Sequence, residues 1–173
     1  MLLKFNNVYK LNVVHYHKME RGKVVLALSK KVVGWIKPYC KRIEIVGSIR
    51  RKATNPRDID IVLIPKNHSA KEKLEKLLEG KGKRILGGEK KAYFMIEGIE
   101  VELYYTVPEE WGATLLAYSS RRGSGIGLRI VARKKGFKLS QHGLFKGNKR
   151  IAGKTEKEIY HALGRLYKEP WKR

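Results

Sequence analysis

A chain of 173 residues is long enough for one ordinary domain or for two small lobes that share a core. Hydrophobic residues make up 42% of it, which argues against a disordered chain, and no apolar run approaches the ~18 residues of a membrane span. Thirty-nine Lys and Arg against 16 Asp and Glu leave a net charge of +23, which opposes compaction unless a polyanion offsets it. Nucleic acid is the commonest such partner, because neutralising phosphates releases condensed counterions. A thermophile's surface would tend to balance Lys with Glu, whereas this balance is lopsided. The first residues are interrupted by Lys4 and Lys10 and lack the continuous apolar segment of a signal peptide. The single cysteine, Cys40, can form neither an intramolecular disulfide nor a thiolate metal site, and reads as a small buried hydrophobe. The expectation is a soluble, intracellular, monomeric protein that works with nucleic acid and not with a membrane.

In chain order, His15-Tyr16-His17 alternates like a strand but has no third metal ligand nearby, so an ordinary strand or loop is expected. Residues 22–38 repeat apolar positions at helical spacing and stop at Pro38. Residues 42–46 alternate as a strand does and run into Gly47-Ser48. A second strand spans 59–64, closed by Pro65. An exposed amphipathic helix follows over 69–79, with Ser69 as its cap and Gly80 past its end. Gly87-Gly88 opens a turn into a strand at 91–96, and Glu97-Gly98 leads on to another at 99–106, a hairpin signature. After Pro108 the period becomes helical. A glycine-rich break at 123–127 precedes a basic helix that Gly136 ends, and a short apolar hairpin is expected around 137–152. Thr155 with Glu158 forms a capping box for a last helix of about ten residues. Trp35, Trp111 and the strand aromatics are expected in the core. The pattern is α+β: a small mixed sheet with helices over 1–106, then a mostly helical lobe with a short hairpin over 107–173.

The residues that carry chemistry cluster after the first strand. Small residues at Gly47 and Ser48 let backbone N–H groups approach phosphate oxygens, and Arg51 adds charge-assisted contacts to the same oxygens. Asp58 and Asp60 stand two positions apart on a strand, so both project from one face. Carboxylates so placed repel each other and favour a divalent cation between them, and hard oxygen ligands suit Mg²⁺. A third acid on a neighbouring strand would complete the site. Glu102 is the natural candidate, but Glu100 shares its face and the spacing leaves both open.

GSIRR at 47–51, DID at 58–60 and VEL at 101–103 together resemble the nucleotidyltransferase superfamily, and within it the family X DNA polymerases. GGEKK at 87–91, the segment 107–120, Arg129 with the stretch KKGFKLSQHGLF, and YKEP at 167–170 are similar to the same family, so the resemblance covers roughly residues 15–173. It implies a minimal form of palm plus nucleotide-binding lobe, like the smallest viral members, without deoxyribose-phosphate lyase activity. It further implies that Asp58, Asp60 and Glu102 bind two Mg²⁺ ions, with Mn²⁺ as a substitute, and that Ser48 and Arg51 hold the β- and γ-phosphates of a dNTP. In that resemblance Gly47 allows the close approach, Arg50 supports the site, Tyr118 with Ser119 and Ser120 meets the sugar, and Arg129 touches the template strand. Arg133, Lys134 and Lys135 extend the contact to gapped or primer-template DNA, and Lys18 or Arg21 reaches toward the triphosphate.

The chain departs from the family pattern in three places. The third acid is normally Asp and here is Glu102. The aromatic pair of the family's Tyr-Phe-Thr-Gly segment becomes Ala117-Tyr118, with Ser120 in place of the glycine. Arg121 to Gly125 replace the side chains that usually meet the nucleobase. Template-directed gap filling is the activity implied; a template-independent nucleotidyltransferase and a non-catalytic basic nucleic-acid-binding protein are the alternatives.

Overall fold

A computed structural model describes residues 20–173, so His15, His17 and Lys18 lie outside the described residues. The first helix, α1, covers 20–36 and buries Val25, Leu28, Val32 and Ile36, the three- and four-residue spacing of one helical face. It passes into a 3₁₀ turn at Lys37–Tyr39, where Pro38 removes the donor an α-helix would need.

Five strands follow: β1 (Cys40–Ile45), β2 (Ile59–Pro65), β3 (Lys83–Gly87), β4 (Lys91–Ile96) and β5 (Ile99–Tyr105). They form one mixed sheet in the order β1-β2-β5-β4-β3, antiparallel throughout except for the parallel central pair β2 and β5. A parallel pair requires a crossover, and here helix α3 (His68–Glu79) and the β3–β4 hairpin supply it. The four-residue helix α2 (Gly47–Arg50) links β1 to β2.

Alternation gives the sheet two distinct faces. Ile59, Ile61 and Leu63 of β2 and Val101 and Leu103 of β5 point into a core closed by α1 and by Leu74 and Leu78 of α3. Val62, Ile64 and Tyr104 point the other way, against Trp111 and Leu115 of helix α4 (Trp111–Ser119). That helix is buried on nearly every side, because Ala113 and Leu116 on its far face join the core of the C-terminal region. Its free N-terminal donors are satisfied by main chain, Gly112 N–H by the Lys154 carbonyl at 3.1 Å and Ala113 N–H by the Gly153 carbonyl at 2.9 Å. A Cβ on Gly112 would lie 2.2 Å from the Thr155 main chain, so only glycine permits this approach. The C-terminal region comprises helix α5 (Arg122–Lys134), a three-stranded antiparallel sheet of β6 (Lys138–Ser140), β7 (Gly143–Lys146) and β8 (Lys149–Ala152), and helix α6 (Glu156–Ala162).

The α+β class and the mixed sheet agree with the sequence reading, and the capping box at Thr155 and Glu158 forms as expected. Five local readings are corrected. Asn67, not Ser69, caps α3, its side chain accepting from Ala70 N–H at 2.8 Å. Strand β3 was not foreseen: every one of its residues is exposed, so its edge position leaves no alternation to read. The glycine-rich stretch 123–127 is no break but the first half of α5, held helical by the burial of Leu128 and Ala132 rather than by its own propensity. The hairpin at 137–152 is a three-stranded sheet, and the final helix has seven residues rather than about ten. Trp111 is buried and Trp35 packs partly buried against the first core, as expected. Among the described residues, no helix is long and apolar enough to cross a membrane.

Candidate active site

The parallel register of β2 and β5 sets Asp60 directly beside Glu102. Both belong to the sheet face that α4 covers further along the strands, where Val62, Ile64 and Tyr104 are packed. Asp58 precedes β2 by one residue and accepts a hydrogen bond from Ser48 Oγ at 3.4 Å. Of the two glutamates the spacing left open, Glu102 pairs with Asp60, whereas Glu100 lies outside the β2 pairing and is exposed.

Gly47 abuts this group. Its φ is +61°, a left-handed conformation that glycine adopts at little cost, and a Cβ there would lie 1.8 Å from Asp60 Oδ2. Val46 N–H donates to the Asp60 carbonyl at 2.8 Å, so the loop carrying Gly47 and Ser48 is fastened to the strand that carries the acids. Burial first, and then the charges of Asp58 and Glu102, push the Asp60 carboxyl up to about 7, against the Tyr104 hydrogen bond and the Arg51 charge.

Tyr104 was read from sequence only as a strand aromatic, and its role at the acids was missed. It is two residues beyond Glu102 on the same face, so its hydroxyl donates to Glu102 and lies 3.4 Å from Asp60 Oδ1. Its ring stacks on that of Tyr118 at 3.6 Å between centroids, with 20° between the planes. The same-face spacing of 102 and 104 was the available signal.

Arg50 and Ser119, expected around the nucleotide, are hydrogen-bonded to each other. Arg50 Nη1 donates to Ser119 Oγ at 2.9 Å, and the guanidinium forms a two-pronged pair with Glu156 of α6 at 2.8 and 2.9 Å. Ser119 is fully buried in that joint. Glu156 and its second partner Arg173, which donates at 2.8 Å, had no sequence signal, since both act across long separations. Arg51 Nη1 reaches the Ser119 carbonyl at 3.3 Å, and Ser120 Oγ donates to its own helix at the Leu116 carbonyl. Arg21, Arg129, Arg133, Lys134 and Lys135 are exposed. Arg129 borders a cavity of about 420 Å³ between α4, α5 and β6, lined also by Ala117, Ser120, Arg121 and Ser140.

Whether the acids suit a divalent cation follows from their chemistry. Three carboxylates lie near one another at one end of the central strand pair; burial first and then their repulsion raise the Asp60 carboxyl, and a cation would relieve the repulsion. Their oxygen donors fit Mg²⁺. Among the described residues, no three acidic, His or Cys side chains stand as a finished ligand cluster, and Tyr104 engages two of the acids instead. The donor set therefore fits, with side chains that must turn to close on an ion.

Comparison with known proteins adds an independent observation. Residues 125–173 match the family model described as DNA polymerase beta thumb. The chain is 31% identical to the repair DNA polymerase X of African swine fever virus over 147 residues, which cover 80% of this chain and 84% of the viral protein. It is 39% identical to DNA polymerase IV of Saccharomyces cerevisiae over 62 residues, 36% of this chain and 11% of the yeast protein.

Proposed function

The chain belongs to the family X DNA polymerases, and on that premise we propose that it adds dNMP from dNTP to a primer 3′-hydroxyl under template direction, in short gap-filling repair. The observation that carries this reading is the in-register pair of Asp60 and Glu102 beside the Gly47-Ser48 loop.

In this reading the described residues up to 106 form the catalytic palm and 107–173 the lobe that binds nucleotide and template. Ser48 and Arg51 hold the β- and γ-phosphates, and the absence of a side chain at Gly47 leaves room for Asp60. Asp58, Asp60 and Glu102 would hold two Mg²⁺ ions, or Mn²⁺ in their place. When bound, such ions stabilise charge on the entering and leaving oxygens of an in-line displacement. The primer oxygen attacks the α-phosphorus, the bond to the bridging oxygen breaks and pyrophosphate leaves. Glu102 helps activate the 3′-hydroxyl. Tyr118 packs against the sugar and Arg129 against the template strand, while Arg133, Lys134 and Lys135 contact DNA phosphates. Arg50 acts at one remove, by tying the Gly47-Ser48 segment to α6.

The test is extension of a labelled primer on a one-nucleotide gap, each dNTP supplied separately with Mg²⁺. Addition of the templated nucleotide, lost in Asp60→Ala, is expected. Addition indifferent to the template would mean a terminal transferase. DNA binding without any addition in Mg²⁺ or Mn²⁺ would mean a binding protein.

A further inference from the structure

Tyr104 holds an unusual position for a core aromatic. Only 8% of it is exposed, and it belongs to a buried cluster with Val46, Val62, Trp111 and Leu115. Yet its hydroxyl emerges at the acids, donating to Glu102 and lying 3.4 Å from Asp60 Oδ1. A neutral donor between two carboxylates takes lone pairs that a cation would otherwise take, and so lowers the repulsion of the ion-free pair. The ring cannot swing aside freely, because its other face rests on Tyr118 near the C-terminal end of α4.

We propose that Tyr104 is a positioning residue that caps the Asp60–Glu102 pair in the ion-free protein and yields its hydroxyl when a divalent cation enters, so that cation capture shifts Tyr118. The inference rests on the assignment of the acids as cation ligands made above. It makes the cation and the end of α4 reciprocal effectors of each other, since any displacement of the Tyr104 ring must be accommodated by the stacked Tyr118. A purely structural tyrosine would behave oppositely, because loosening the acids would weaken cation binding.

The experiment titrates Mn²⁺ into the protein without DNA or nucleotide and follows free Mn²⁺ by electron paramagnetic resonance, in wild type, Tyr104→Phe and Asp60→Ala. Phenylalanine keeps the buried ring, and circular dichroism and melting confirm the fold. Tyr104→Phe is expected to bind Mn²⁺ about tenfold more tightly, the effect of removing one competing hydrogen bond to a charged group. A tyrosine difference spectrum on adding Mg²⁺ is expected in wild type and should be much reduced in Tyr104→Phe. Mn²⁺ binding that is lost in Asp60→Ala but equal or weaker in folded Tyr104→Phe would overturn the role of Tyr104 alone. Binding that survives Asp60→Ala would overturn the cation assignment itself, and this proposal with it.

Discussion

Arg50 and Glu156, 106 residues apart, face each other as a two-pronged ion pair, Nη1 to Oε1 at 2.9 Å and Nη2 to Oε2 at 2.8 Å. The arginine follows Gly47-Ser48 by two residues and the glutamate opens α6, so the pair fastens the loop beside the acids to the C-terminal region. Their side chains are 16% and 6% exposed, and Arg173 adds a second cation to the same carboxylate. Such a pair contributes little net stability against an apolar replacement, but removing one partner strands the others. Glu156→Ala should therefore cost about 3 kcal/mol in urea denaturation, because Arg173 would remain buried without this anion and Arg50 would keep only the more exposed Glu44 carboxylate, 3.6 Å from its Nε.

The same carboxyl sets an acid limit. Burial alone would raise it, but the hydrogen bonds and charges of Arg50 and Arg173 outweigh burial and hold it below its ordinary value. A depressed acid contributes stability above its unfolded value, about 4.3, and loses that contribution as the pH falls through the folded value. Wild type should lose stability below about pH 4 more steeply than Glu156→Gln, as thermal melts across pH 3–7 would reveal.

Asp60 predicts the opposite trend. Its carboxyl is pushed up to about 7, so the protonated form is favoured in the folded protein. Stability from this group is greatest below the unfolded value near 3.9 and falls as the pH rises toward 7, leaving a constant penalty above. Ion-free Asp60→Asn should be more stable than wild type at pH 8 by about 1–2 kcal/mol, a gain that partial solvation of the site keeps small. The difference should vanish near pH 3, as denaturation in the presence of a chelator would record. A site more stable without its own acid is the usual cost of chemistry.

Gly47→Ala should fail on two counts. It forces an L-residue into positive φ and drives a Cβ into Asp60. A loss of about 1–3 kcal/mol in stability is expected, together with loss of primer extension, readable in one preparation by melting and gapped-primer assays.

Glu102→Gln should reduce extension at least about a hundredfold with little change in melting temperature, because the residue is only partly buried and the proposed function makes it a cation ligand. Glu102→Asp should retain measurable extension, since it keeps a carboxylate in register with Asp60. Single-turnover rates on gapped DNA decide between these outcomes.

Much was legible from residues alone because it is local. Gly47-Ser48, the spacing of Asp58 and Asp60, and the alternation of 99–105 each depend on neighbours within a few positions, and the strand period assigns their faces. The α+β class followed from where that period changed. The failures were also local in origin: β3 buries nothing, and glycines in α5 imitate a break because propensity is weaker than the burial of Leu128 and Ala132.

By itself, then, the sequence determined which residue types stand ready for phosphate and cation chemistry, on which strand faces, and that the chain carries the charge to meet a polyanion. Only the tertiary structure decided which acid partners which, because the choice between Glu100 and Glu102 rests on the parallel register of strands joined through a long crossover. It alone also turned Arg50 toward Glu156 and set the Tyr104 hydroxyl against the acids. Those contacts depend on how α4 is wedged between two cores, and burial across long sequence separation leaves no periodic trace in the chain.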